Sequence, residues 1–158
     1  MRLLEIGAKA CAVLAGLLLT VITLMTCVSV LGRNTVGWTI VGDFELSASA
    51  AGAAIALFLP WCQVRRGNII VDFFTARATS ATQLRLDRAG AFVLAVAMGL
   101  LAWRTSVGGL NAWNSQSGSM MLGFPEWIVY LLMVPPIALT AVIALVQALR
   151  GFGEEATQ

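Results

Sequence analysis

Apolar positions along this chain fall in four long blocks parted by short polar stretches, with no regular alternation between the two kinds. Neither the two-residue period of a half-buried strand nor the 3.6-residue period of a surface helix organises them, which is how helices read when they are apolar on every side. The first block, Ala10–Gly32, carries no charge. At about 1.5 Å per residue it spans roughly 34 Å, enough for a hydrocarbon core of about 30 Å. Arg2 and Lys9 ahead of it look like the basic flank of a secretory signal. The block exceeds the roughly 7–15 residues of such a segment and three more blocks follow, so an uncleaved first helix is expected.

The second block is Phe44–Trp61, with Asp43 expected as its N-cap and Glu45 in the first turn, where the helix dipole favours an anion. Ala48, Gly52 and Ala56 recur every fourth position and predict a small-residue face for helix packing or a partner. Pro60 and Trp61 are expected to close this span. Between Cys62 and Arg88 lies the main polar stretch, in which Asn68–Phe74 suits a short helix lying in the interface plane. Ser80 and Gln83 have capping-box spacing, so a third helix is expected from near Ala81 to about Leu110. Trp103 and Arg104 fall where an aromatic-belt residue and a snorkelling cation belong. Ser106–Phe124, rich in Gly, Ser and Asn, reads as a loop. The fourth helix is expected from Pro125, a residue suited to a first turn, to Leu149, kinked at Pro135-Pro136. The expectation is an all-α membrane protein, one domain over 1–158 with transmembrane helices at about 10–32, 44–61, 81–110 and 125–149.

Composition agrees. Hydrophobic residues make up 59% and charged residues 11%, with mean hydropathy +0.86. A soluble domain carries about a quarter charged residues, so this surface belongs in lipid. Arg2, Lys9, Arg65, Arg66, Arg77, Arg85, Arg88 and Arg150, eight of the 10 basic residues, fall on the side of the two termini; Arg33 and Arg104 fall on the other. Under the positive-inside rule both termini are expected in the cytoplasm. Arg65 and Arg66 read as topology determinants beside anionic lipid headgroups. The net charge of +2 gives no reason to expect nucleic-acid binding.

Little here carries chemistry. The chain has no His, which excludes a His-ligated haem and any nucleophile–histidine pair, so no catalytic residue and no enzyme is expected. Cys11, Cys27 and Cys62 form no CxxC pair and read as buried apolar-like thiols, with no metal site. No ionisable group is expected at mid-membrane, where such groups mark transport paths. Asp43 and Glu45 read either as cap and dipole partner or as a cation site. Arg33 is either paired with Glu45 across the first hairpin or solvated at the interface.

The order of these features resembles the small membrane subunit of tripartite ATP-independent periplasmic (TRAP) transporters, the DctQ-like family. The resemblance rests on Arg33, on Asp43-Phe44-Glu45 and on Arg65-Arg66-Gly67-Asn68-Ile69-Ile70-Val71-Asp72. It continues through Leu122-Gly123-Phe124-Pro125-Glu126-Trp127 and Pro135-Pro136. Two positions depart from the family: Asn68 stands where His is common, and Asp43 where Glu is usual. Asn cannot titrate near neutral pH, which removes the basis for a pH-dependent role at position 68. The resemblance implies a non-catalytic subunit of a sodium-coupled importer of an organic acid, commonly a carboxylate, in the bacterial inner membrane. Its partners would be a large membrane subunit holding the substrate and sodium sites, a periplasmic binding protein and the lipid bilayer, with no cofactor in this chain. It would brace the large subunit while the transport domain moves like an elevator. The alternative is a self-sufficient, homo-oligomeric small exporter or channel, a role that generally needs an intramembrane acid.

Overall fold

A computed structural model of the chain describes residues 2–65 and 80–150; the expected interfacial helix, with Arg66, Asn68 and Asp72, lies outside them. The described residues form four helices: α1 (Arg2–Thr35), α2 (Asp43–Val64), α3 (Ser80–Asn114) and α4 (Trp127–Arg150). All four are long and apolar enough to cross a bilayer. The chain is an all-α membrane protein.

The helices differ from the apolar blocks at their ends, for physical reasons. Backbone hydrogen bonding continues through polar flanks, whereas hydropathy marks only the part suited to lipid. So α1 begins at Arg2, well before Ala10, and α2 continues past Pro60, which is fully buried inside it, to Val64. The expected loop from Ser106 is helical as far as Asn114. Its glycines serve close packing: a Cβ on Gly109 would lie 2.9 Å from Tyr130 Cβ, and one on Gly108 would lie 3.2 Å from the Tyr130 ring. Conversely, α4 begins at Trp127, so Pro125 is not in its first turn. Pro125 instead pairs with Gly118 in an isolated antiparallel bridge, flanked by Ser119 N–H to Phe124 carbonyl at 2.9 Å and Glu126 N–H to Ser117 carbonyl at 3.2 Å. The Pro135-Pro136 pair is absorbed within α4, where the buried Thr140 hydroxyl donates to the Pro136 carbonyl at 2.8 Å.

Packing follows an order different from the sequence. The α1 helix packs on α2, α2 on α4, and α4 on α3, with slight contact between α1 and α4 and no substantial contact of α3 with α1 or α2. The spatial order is therefore α1–α2–α4–α3, a row whose end helices make no substantial contact. Its seams are built on heptad-like spacing. Buried positions on α1 are Ala8, Ala15 and Ser29, separated by multiples of seven. Those on α2 include Ala53, Ala56, Pro60 and Gln63, and those on α4 include Pro136, Thr140, Ile143 and Gln147. Such steps of three and four are the spacing of helices that pack side by side at shallow angles, and small residues let the backbones come close. The three cysteines form no disulfide, and Cys27 is exposed on α1 where burial was expected.

Candidate functional site

Polar contacts between helices gather at the two ends of α2. At its start the connection from α1 reverses through Gly42, whose φ of 76° is left-handed and open mainly to glycine. Gly42 occupies the cap position and the helix has no side-chain cap, so Asp43 is not the N-cap expected of it. Sitting one residue inside the helix, Asp43 turns its carboxylate to α1 and accepts a hydrogen bond from the buried Ser29 hydroxyl at 2.5 Å. The exposed Arg33, one turn further along α1, adds its charge to the field on this carboxylate. One turn into the membrane, the Thr26 and Ser47 hydroxyls meet at 3.3 Å. The α1–α2 hairpin is thus closed by hydroxyls and one acid.

Glu45 serves a different segment. Its two carboxylate oxygens accept the Met121 N–H at 3.0 and 3.2 Å, with the Ser119 hydroxyl and the N–H groups of Met120 and Leu122 also turned toward it. It is not the partner of Arg33. Leu122 covers Gly42, where an added Cβ would fall 2.5 Å from the leucine side chain. The α3–α4 connection is consequently pinned onto the start of α2, two helices away along the chain. The two acids face different donors and do not converge on a shared cation position. Among the described residues no group of three or more His, Cys, Asp or Glu side chains could hold a metal ion.

At the other end of α2, Gln63 and Gln147 of α4 are both buried. The Gln63 Nε2 donates to Gln147 Oε1 at 2.7 Å, and Gln147 Nε2 donates to the Gln63 main-chain carbonyl at 3.2 Å. Sequence reasoning weighed only ionisable groups and passed over this pair. The available signal was two amides at the terminus-side ends of apolar blocks, since buried polar groups in helices need partners. Nearby, the exposed Arg65 guanidinium lies 5.0 Å from the centre of the Trp61 ring. At the opposite face, Trp113 of α3 meets Trp127 of α4 edge-on, with ring centres 4.7 Å apart.

The structure divides the expected small-residue face. Ala56 is buried within the row, Ala48 is exposed, and a Cβ on Gly52 would meet nothing within 4 Å. A four-residue step overshoots a full helical turn by about 40°, so the stripe drifts around α2 and its two ends address different neighbours.

The model of one protein family, described as tripartite ATP-independent periplasmic transporters, DctQ component, matches residues 22–154. No curated protein and no solved structure matches the chain.

Proposed function

The chain belongs to the DctQ-component family of tripartite ATP-independent periplasmic transporters, and from that premise we propose that it is the non-catalytic bracing subunit of a sodium-coupled importer of an organic acid, a carboxylate. It works with a large permease subunit, which holds the substrate and sodium sites, and with a periplasmic binding protein. Both termini face the cytoplasm of a bacterial inner membrane, a reading supported by the basic bias of the termini side.

The observation that carries this reading is the open row. Among the described residues, helices ordered α1–α2–α4–α3, with no substantial contact between α3 and α1, do not surround a polar path. They offer broad apolar faces for a neighbour. On α2 the exposed Ala48 and the open space beside Gly52 support close approach by a partner helix.

Purification of the tagged chain in mild detergent is expected to bring a large polytopic protein with it. Sodium-driven carboxylate uptake in proteoliposomes is expected to require both chains and the binding protein. Gly52→Leu is expected to weaken association of the two membrane chains about tenfold, about 1.4 kcal/mol, while this chain stays folded. Transport by this chain alone, as a homo-oligomer in liposomes, would overturn the reading.

A further inference from the structure

The two connections on the face opposite the termini are unusual in what they lack. From Thr35 to Gly42, and again from Ser115 to Pro125, no residue is charged. Large apolar side chains stand out from them instead: Val36 is 82% exposed, Val41 67%, Met120 101% and Met121 69%, with Trp38 and Phe44 beside them also exposed. Single exposed apolar residues are ordinary, but a charge-free collar of them on loops needs a solvent that suits it.

Its level is fixed by the pinning of one connection to α2. That helix has 22 residues. At about 1.5 Å each it is roughly 33 Å long, little more than the hydrocarbon core of about 30 Å. Its first turn therefore lies at the membrane boundary, and Met121, bonded through its N–H to Glu45 in that turn, lies there too.

The backbone of the α3–α4 connection is suited to a place poor in water. The N–H groups of Ser119, Gly123 and Glu126 donate to carbonyls within the connection, Phe124 N–H donates to the Ser119 hydroxyl, and Met121 N–H donates to Glu45. Irregular backbone is tolerated near lipid only where its polar groups are satisfied.

We propose that this collar is a lipid anchor: the Met120–Met121 tip and the apolar residues of the α1–α2 connection lie in the headgroup–acyl boundary of the leaflet on that side. The occupant is lipid because the collar continues the lipid-suited surfaces of the helices it joins and stands at the boundary depth. The charges that border it, Arg33, Asp43, Glu45 and Glu126, stand at or beside the helix ends and none lies within the connections. Methionine's flexible, polarisable side chain suits a disordered acyl surface. The proposal rests on the membrane-spanning reading of the helices.

The test is a depth measurement on the full chain in nanodiscs of phosphatidylethanolamine and phosphatidylglycerol, both alone and with its co-purified partner. In a background with Cys11, Cys27 and Cys62 replaced by Ala, nitroxides are attached at Met120→Cys, at Met121→Cys and, as a reference within α1, at Leu17→Cys. Collision with oxygen relative to a nickel chelate is expected to be several-fold above that of free label at positions 120 and 121, and below that at position 17. Values equal to free label at both tip positions would overturn the anchor. So would free-label values in the chain alone that become shielded from both reagents only with the partner, which would make the tip a protein-docking surface. A free-label value at position 17 would instead overturn the spanning reading beneath it.

Discussion

The helix most suited to lipid is the one least buried in the protein. The best apolar window of α1 has mean hydropathy 2.5, yet 6% of it is buried, whereas α2, at 1.4, has 33% buried. The order is the reverse of what a water-soluble protein shows. Lipid is as apolar as leucine, so burial there brings no hydrophobic gain, and close packing and hydrogen bonds decide which helices sit inside. Three alanines, a leucine, a proline and a glutamine line the buried face of α2, while leucines and valines cover the exposed face of α1. The other two helices run the other way: α4, at 2.4, is 28% buried in its window and α3, at 1.6, is 11% buried, so hydropathy does not set which helix sits inside.

If packing rather than hydropathy holds the row together, the largest loss should come from filling a close contact. Gly109→Leu adds a branched side chain where even a Cβ meets Tyr130 at 2.9 Å. It is expected to cost about 3 kcal/mol, at the upper end of the usual range for overpacking, in reversible unfolding from mixed micelles. Next comes Gln147→Leu, which removes the acceptor of the buried Gln63 Nε2 and should cost about 2 kcal/mol. Adding Gln63→Leu should return stability to within about 1 kcal/mol of the parent, because a buried amide no longer faces an apolar side chain. A double variant as unstable as the sum of the two singles would mean the pair contributes more than mutual satisfaction.

Smaller effects sharpen the comparison at its edges. Glu45→Ala is expected to leave the midpoint of global unfolding nearly unchanged but to speed amide hydrogen exchange at Met121 several-fold, since that N–H loses its acceptor. Least of all, Leu24→Ala on the exposed face of α1 should change the stability of the isolated chain by under about 0.5 kcal/mol. A much larger loss there would show that α1 is not the lipid-facing flank its 61% exposed Leu24 marks.

The number and class of the elements could be read from the sequence because each block had to cross the same thickness of lipid. Their ends could not, because hydropathy is silent about helix that continues in water, as at Arg2–Lys9, or about glycines that pack, as at Gly108 and Gly109. The partners of polar side chains were less legible still. Asp43 looked like a cap and became a tie to Ser29; Glu45, read as a dipole partner with pairing to Arg33 left open, became an acceptor for Met121. Such choices depend on which helices become neighbours. The order α1–α2–α4–α3 cannot be deduced from four stretches of similar apolar character. Gln63 and Gln147 stood in plain view, but an amide advertises its partner less openly than a charge does.

The mismatch between chain order and spatial order also sets a sequence of events in time. As the chain enters the bilayer, α1 and α2 emerge together and can join at once through Ser29 and Asp43. The third helix emerges without its neighbour, since the surface it rests on belongs to α4. It must wait in lipid while the second face of α2 stays open, and only the last segment to be made completes both seams. Truncation before Trp127 would therefore leave a hairpin and a solitary helix, with the two halves of the molecule unable to find one another.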